Sequence, residues 1–224
     1  MKIINIAIDG PSGAGKSTLA KMLAADFGFI YVDTGAIYRS VGLYVLRKGI
    51  GSKDAAAVSA ALPEIDVEMR YNDGAQLMIL NGEDVTSLLR TPEVSIYASD
   101  VSAMPDVRRF LLEKQRKLAK ENSVIMDGRD IGTVVLPDAE IKIFLTASPE
   151  TRAKRRFIEL TEKGIETTYE DVLADQFYRD KNDSSRALAP LKPAADAVYV
   201  DTTYCDLEES KRILRKIVEE KLEK

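Results

Sequence analysis

The segment Gly10-Pro11-Ser12-Gly13-Ala14-Gly15-Lys16-Ser17 has the form G-x-x-x-x-G-K-[ST], the phosphate-binding P-loop pattern. An apolar run of strand length, residues 2–9, precedes it, and apolar residues at helical spacing follow it from Thr18 to Phe27. A glycine-rich loop between a buried strand and a helix N-terminus can turn its backbone N–H groups toward a phosphate. Lys16 adds a positive charge, and the Ser17 hydroxyl can ligate Mg²⁺. We therefore expect residues 10–18 to bind the phosphates of a nucleoside triphosphate together with Mg²⁺.

The composition of the chain excludes several classes of protein. Its 224 residues carry a formal net charge of −4, with no lysine-rich block, which argues against a general binder of nucleic acid or of anionic membranes. No apolar stretch is long enough to span a membrane, and the first apolar run is too short for a signal peptide. The chain has no histidine and one cysteine, Cys205, so histidine-dependent catalysis and an intrachain disulfide are excluded. We expect a cytoplasmic protein that acts as a monomer on small molecules.

Apolar runs and helical periods alternate along most of the chain. They predict strands at 29–32, 124–126, 141–145 and 198–200, and helices at 36–47, 53–62, 91–103, 105–120, 149–163, 169–183 and 206–222. This alternation predicts an α/β fold: a doubly wound parallel sheet with helices on both faces and sites at the carboxyl ends of its strands. Residues 65–71 and 75–80 instead alternate strictly around a turn at 72–74, which predicts an antiparallel hairpin.

Two polar clusters follow predicted strands. In the first, Thr34, Tyr38 and Arg39 can face one ligand at a helix start, although a capped helix with a solvated arginine fits the same spacing. In the second, Asp127 directly follows a buried strand, where a carboxylate that binds Mg²⁺ sits in P-loop proteins, and Arg129 offers a planar fork for phosphate. A tight turn with internal charge pairing is the other interpretation of the second cluster.

A third polar cluster lies on two predicted helices. Arg152 and Arg156 share a helix face at i, i+4, and Arg179, Asp183 and Arg186 recur at spacings of four and three on the next helix. Taken singly, each arginine also fits a solvated surface charge. Facing arginines across a mobile connection are suited to a lid that closes over phosphates and excludes water.

Four segments carry a resemblance to a known family. They are the P-loop, residues 33–39 (Asp-Thr-Gly-Ala-Ile-Tyr-Arg), residues 127–133 (Asp-Gly-Arg-Asp-Ile-Gly-Thr) and residues 186–191 (Arg-Ala-Leu-Ala-Pro-Leu). In order and spacing, over nearly the whole chain, they resemble cytidylate kinase of the bacterial type, one of the P-loop nucleoside monophosphate kinases. The resemblance implies a P-loop core at 1–33, 121–150 and 187–224. It also implies a nucleoside monophosphate (NMP) binding domain at 34–120, with an antiparallel insert near 63–90, and a short helical lid at 151–186.

The resemblance further implies an activity, the ATP-dependent phosphorylation of CMP and dCMP with release of ADP, and a set of site residues. Lys16, Arg129, Arg152 and Arg179 would be catalytic. Ser17 and Asp127 would hold Mg²⁺, and residues 10–18 with Arg152 and Arg156 would bind ATP. The residues implied for the acceptor are Thr34, Tyr38, Arg39, Ser99, Arg108, Arg129, Asp130, Arg179, Asp183 and Arg186. Thr34 stands where some relatives have serine, and Ser17 where some have glycine, so a hydroxyl is kept at the first position and gained at the second.

Other functions remain open on the sequence alone. A P-loop kinase of another small acceptor, such as UMP, AMP or shikimate, shares the first motif and differs in the base-reading residues Ser99, Arg108 and Asp130. A nucleotide-dependent switch would carry the D-x-x-G and N-K-x-D patterns, and neither is present. A scaffold that merely retains the fold would be expected to lose Lys16 or the arginines, and these are present.

Overall fold

The structure is a computed structural model that describes residues 3–72 and 75–223. Its centre is a five-stranded parallel sheet in the order β2-β6-β1-β7-β8. The strands of this sheet are β1 (Asn5–Asp9), β2 (Ile30–Asp33), β6 (Val124–Gly128), β7 (Ile141–Thr146) and β8 (Val198–Asp201). The predicted parallel sheet is therefore confirmed. The start of the predicted first strand, residue 2, lies outside the described residues.

Eight α-helices accompany the strands in the described part of the chain. They are α1 (Lys16–Phe27), α2 (Thr34–Arg47), α3 (Ala55–Ala61), α4 (Pro92–Val101), α5 (Pro105–Glu121), α6 (Pro149–Glu162), α7 (Tyr169–Ser184) and α8 (Leu207–Leu222). Side chains that accept from a first-turn N–H begin several of them, among them Asp33 for α2 and Ser148 for α6. None of these helices is long and apolar enough to cross a membrane.

The alternation of side chains along β1 places helices on both faces of the sheet. Ile6 and Ile8 are fully buried in a cluster that includes Leu19 of α1 and Leu214 of α8. Ala7 points to the other face, into a cluster with Ala119 of α5. Because successive side chains of a strand point to opposite faces, this central strand contributes to both layers of the core.

The antiparallel sheet lies between α3 and α4 in the chain. Its strands are β3 (Val67–Asn72), β4 (Ala75–Leu80) and β5 (Glu83–Asp84), in that order. The predicted hairpin is confirmed and gains a third, two-residue strand, while residues 73 and 74 of its predicted turn lie outside the described residues. Two 3₁₀ helices, Leu62–Glu64 and Thr86–Arg90, flank this sheet.

A π-helical turn, Ile131–Val135, follows the Asp127–Asp130 segment and was not predicted. The carboxylate of Asp9, at the end of β1, accepts from Ile131 N at 2.7 Å and from Gly132 N at 2.8 Å. Desolvation of this buried carboxyl group raises the pKa of Asp9 to about 7, against the lowering effect of the two backbone donors. Asp9 thus fastens the turn to the strand that leads into the P-loop.

Candidate active site

The P-loop turns sharply over the carboxyl end of β7. Gly10 has φ 149°, and a Cβ atom at this position would lie 1.9 Å from the Leu145 carbonyl oxygen, so only glycine fits. The buried Lys16 side chain folds under the loop and donates from Nζ to Pro11 O at 2.7 Å. Burial, followed by the nearby Arg129 guanidinium, holds the pKa of Lys16 well below its ordinary value. The lysine therefore stands inside the loop, next to a second cation.

Asp127 lies at the carboxyl end of β6, next to the P-loop strand. Its Oδ2 accepts from Ser17 Oγ at 2.9 Å, and its Oδ1 accepts from Tyr31 Oη at 3.0 Å. Burial, with Asp33 close by, raises the pKa of Asp127. A hydroxyl and a carboxylate side by side are oxygen ligands of the kind that Mg²⁺ takes. In the described residues no three acidic, histidine or cysteine side chains cluster as a complete metal site, so Mg²⁺ here would need phosphate and water oxygens as further ligands.

A cleft of about 480 Å³ opens above the P-loop. Besides the loop itself, its walls come from the start of α2, from Arg90 and α4, from the end of β6, from α6 and α7, and from the loop after β8 with the start of α8. Six arginines line this cleft: Arg39, Arg90, Arg129, Arg155, Arg156 and Arg179. We call this space the donor cleft.

A smaller space of about 60 Å³ adjoins the donor cleft, and we call it the acceptor cleft. The structure brings all ten residues implied for the acceptor to its walls: Thr34, Tyr38, Arg39, Ser99, Arg108, Arg129, Asp130, Arg179, Asp183 and Arg186. They come from α2, α4, α5, α7 and the segments that follow β6 and α7. Three arginines, Arg39, Arg129 and Arg179, line both clefts, so their junction is strongly cationic.

Asp183 is the acidic centre of the acceptor cleft. It accepts from Arg129 Nε at 2.7 Å, from Arg186 and from Ser99 Oγ at 3.3 Å. Burial raises the pKa of Asp183, but the guanidinium groups of Arg129 and Arg186 outweigh burial and lower it. Asp183 is thus ionised and holds two arginines in place.

A second buried pair, Arg108 with Asp130, lines the acceptor cleft and not the donor cleft. Arg108 also donates from Nη1 to Ser102 O at 3.1 Å, and its guanidinium carbon lies 5.7 Å from the centre of the Tyr38 ring. Desolvation raises the pKa of Asp130 even though Arg108 opposes the shift.

Three arginines of the acceptor cleft keep an unsatisfied donor. Among the described residues, Nε of Arg39, of Arg179 and of Arg186 is buried without a hydrogen-bond partner. Burial, followed by repulsion from Arg129, lowers the pKa of Arg179 to about 9. Unpaired buried donors and crowded positive charge both raise the free energy of the site, and a bound anion would relieve both.

The structure separates the two arginines of α6 that the sequence placed together. Arg152 lines neither cleft: its buried guanidinium donates to Ser12 O at 3.0 Å, to Ala147 O at 2.8 Å and to Asp180 Oδ2 at 2.6 Å. Arg156 lines the donor cleft and donates to Glu159 at 2.7 Å. Arg152 thus supports the backbone of the P-loop, whereas Arg156 faces the space above it.

The sequence patterns did not predict two arginines that line the donor cleft, Arg90 and Arg155. Arg90 ends a 3₁₀ helix without a periodic pattern, and its guanidinium lies 3.4 Å from Asp33 Oδ2, the carboxylate that also binds Arg39. Arg155 lies between the two arginines that were singled out, and it donates from Nη2 to Thr202 O at 2.7 Å in the loop after β8. The i, i+4 pattern that selected its neighbours passes over Arg155.

Comparison with known proteins agrees with this geometry. The family model described as cytidylate kinase matches residues 6–221. A cytidylate kinase of Caldicellulosiruptor bescii is 53% identical over 219 residues, 98% of this chain and 96% of the relative. One of Lactiplantibacillus plantarum is 44% identical over 218 residues, 97% of this chain and 96% of the relative. The crystal structure of an uncharacterized protein from Eubacterium ventriosum superposes with a TM-score of 0.52 at 16% identity, covering 98% of this chain and 99% of that one, a likeness of fold alone. The chain belongs to the cytidylate kinase family.

Proposed function

We propose that this chain transfers the γ-phosphoryl group of ATP to CMP and dCMP and releases ADP. The observation that carries the proposal is the junction of the two clefts, where Arg39, Arg129 and Arg179 face both spaces. Two of these three arginines keep a buried Nε without a partner among the described residues. Two phosphate groups that meet at this junction would find there both the donors and the positive charge that their repulsion requires. The full-length match to cytidylate kinases supports the same activity.

The chemistry of this transfer suits a chain without histidine. The second pKa of a phosphate monoester is near 6, so the attacking oxygen of CMP is largely anionic at neutral pH and needs no strong general base. The reaction needs alignment of the two phosphates and neutralisation of their charge. Guanidinium groups and a lysine, which stay charged at neutral pH when an anion pairs with them, supply both.

The donor side consists of the P-loop and its partners. Residues 10–18, of which all but Pro11 carry a backbone N–H, and the Lys16 ammonium would bind the donor phosphates, and Arg156 would approach them from α6. Arg152 is assigned to holding the loop through Ser12 O. Ser17 and Asp127 would hold Mg²⁺, which supplies charge neutralisation across the donor phosphates when it is bound.

The acceptor side separates phosphate binding from base reading. Arg39 and Arg129, at the junction, would bind the CMP phosphate. Ser99, Arg108 and Asp130, which line the acceptor cleft and not the donor cleft, would read the cytosine edge. The carboxylate of Asp130 can accept from the exocyclic amine of cytosine. The residues assigned to closing over the ribose and the phosphates are Arg179, Asp183 and Arg186.

We assign the P-loop core to 1–33, 121–150 and 187–224, the NMP-binding domain to 34–120 and the lid to 151–186. We also propose that the protein acts in the cytoplasm, as a monomer, without nucleic acid or membrane partners.

Initial rates with ATP across CMP, dCMP, UMP, AMP and shikimate test the proposed function. CMP and dCMP should be among the best acceptors, and a clear preference for UMP, AMP or shikimate would replace the proposal by that alternative. The variant Arg129→Ala should lower kcat with CMP by about 10³-fold or more. Arg212→Ala is the matched control, since this side chain is 80% exposed on α8 and lines neither cleft. Wild-type kcat in Arg129→Ala would remove Arg129 from the transfer step.

A further inference from the structure

Helix α7 presents three rows of side chains to three different neighbours. Asp180 and Gln176, at i, i−4, accept from Arg152 beneath the P-loop at 2.6 and 3.5 Å. Arg179 and Asp183, also four residues apart, line the acceptor cleft. The third row, Tyr178 and Asn182, meets α4. A rotation of α7 about its own axis would therefore move the cleft-lining row away from the acceptor.

The contact between the third row and α4 is a hydrogen-bonded group of three side chains. Asp100 of α4 is 6% exposed, and its carboxylate accepts from Tyr178 Oη on one oxygen and from Ser52 Oγ, at 2.7 Å, on the other. The Lys53 ammonium lies 5.3 Å from the centre of the Tyr178 ring. Burial, with Asp100 beside it, raises the pKa of Tyr178, so its hydroxyl remains a donor. Asp100 thus ties α7 to α4 and to the loop before α3.

The next turn of α7 extends this contact into the acceptor cleft. Asn182 donates from Nδ2 to Ser99 Oγ at 2.8 Å, and Ser99 Oγ donates to Asp183 Oδ1 at 3.3 Å. Ser99 is the residue before Asp100 in α4. The same two helices therefore carry the tie and the residues that face the acceptor, one turn apart.

Apolar packing does not fix this end of α7. The apolar cluster that joins α7 to α6 contains Val172, with Leu173 partly buried against it, in the first turn of the helix. At the other end, Phe177 is 52% exposed. Polar contacts therefore decide the orientation of the half of α7 that carries Arg179 and Asp183.

We infer that Asp100 and Tyr178 are positioning residues for the acceptor site: their hydrogen bond sets the rotation of α7 that directs Arg179 and Asp183 into the acceptor cleft. Neither residue lines the acceptor cleft, so they act through the helix and not by touching the acceptor. The inference rests on the proposed function for its kinetic consequence, but the tie itself is a property of the protein without nucleotide.

The test uses Tyr178→Phe, which removes one hydroxyl and keeps the ring, with Tyr204→Phe as control because Tyr204 is 99% exposed. In the protein without nucleotide, the backbone amides of residues 178–184 should exchange their hydrogens faster in Tyr178→Phe than in the wild type and the control. In the kinetic assay, the loss of a hydrogen bond to a carboxylate should raise KM for CMP by about tenfold. KM for ATP should rise less than KM for CMP, since Asp183 lines the acceptor cleft alone whereas Arg179 lines both clefts. Asp100→Asn, which keeps the shape and one acceptor, should show a smaller change in the same direction.

Two results would overturn the inference. Unchanged exchange in Tyr178→Phe would show that the hydroxyl does not hold α7, and an equal rise of KM for CMP and ATP would show a general loosening; either result overturns it. If Tyr178→Phe does not fold, the milder Asp100→Asn variant decides on the same two measurements. If the wild type does not phosphorylate CMP, the proposed function fails, while the exchange experiment still decides whether the tie exists.

Discussion

The burial of the ion pair between Arg108 and Asp130 determines how much stability the protein should lose when the pair is broken. Both side chains are nearly inaccessible, with exposed fractions of 7% and 5%, so solvent screens their attraction little. The variant Asp130→Asn keeps the size of the side chain and removes the charge that Arg108 binds. A hydrogen bond to a charged group contributes about 1.5–3 kcal/mol, and the retained amide oxygen places the expected loss near the lower half of that range, about 2 kcal/mol. For a chain of this length, 1 kcal/mol shifts Tm by about 2–4 °C, so we expect Tm to fall by about 4–8 °C.

The assay is thermal unfolding followed by circular dichroism, with Asp138→Asn as the control because Asp138 is exposed on the loop before β7. The same variants are measured kinetically. Asp130 lines the acceptor cleft and not the donor cleft, so Asp130→Asn should raise KM for CMP while KM for ATP stays as in the wild type. A wild-type Tm together with a wild-type KM for CMP would refute both the energetic and the functional reasoning.

Replacing Arg108, the other member of the pair, should make the loss of stability depend on pH. In Arg108→Met the carboxyl of Asp130 loses the strongest influence that opposes its desolvation, and its folded pKa rises further. A carboxyl whose folded pKa lies above its unfolded value makes the folded state less stable as pH rises through that range. Arg108→Met should therefore lose more stability at about pH 8 than at about pH 5. An equal loss at both values would show that Asp130 does not depend on Arg108 for its charge.

Three further predictions concern the core of the site. Lys16→Met should lower kcat by about 10²- to 10³-fold in initial-rate assays. Tm should stay as in the wild type, because burying the Lys16 ammonium costs free energy of folding that burying the methionine side chain does not. A fall in Tm with wild-type kcat would contradict this prediction. Asp127→Asn should raise the Mg²⁺ concentration needed for half-maximal activity without changing KM for CMP, and an unaltered Mg²⁺ titration would exclude Asp127 as a ligand. The free energy of unfolding of the wild type should decrease as pH rises from about 4 to the Asp9 pKa of about 7, because the carboxyl group of Asp9 binds its proton more tightly in the folded than in the unfolded state. In urea titrations at several pH values, Asp9→Asn should make this decrease smaller.

The sheet was predictable because its signals are local. Apolar runs of strand length and helical periods lie along the chain itself, and the alternation of the two specifies a parallel sheet with few alternatives. The third antiparallel strand, Glu83–Asp84, has two residues and no alternation to detect. The π-helical turn at Ile131–Val135 is held by hydrogen bonds to Asp9, more than 120 residues away in the chain, so no local sequence pattern predicts it.

The site was predictable where strand order alone brings residues together. Asp127 lies at the carboxyl end of β6 and the P-loop follows β1, the neighbouring parallel strand, so their side chains had to meet at one edge of the sheet. The direction of Arg152 was not predictable in the same way, because a shared helix face does not say whether a long side chain folds toward Ser12 O or into the cleft. Likewise, the partners of Asp183 depend on how α7 packs against α4, which the sequence pattern does not contain.

The close contact between the P-loop and the start of α6 limits how the proposed lid can move. A Cβ atom on Gly13 would lie 3.0 Å from both the Cβ atom and the carbonyl oxygen of Arg152, and the guanidinium of Arg152 holds Ser12 O. We therefore expect the P-loop and the first turn of α6 to move together as one rigid unit. If the proposed lid opens and closes, we expect the backbone to bend beyond that turn, where Gly164, with φ 69°, lies in the connection to α7. We therefore expect substrates to enter and leave while the P-loop keeps its shape.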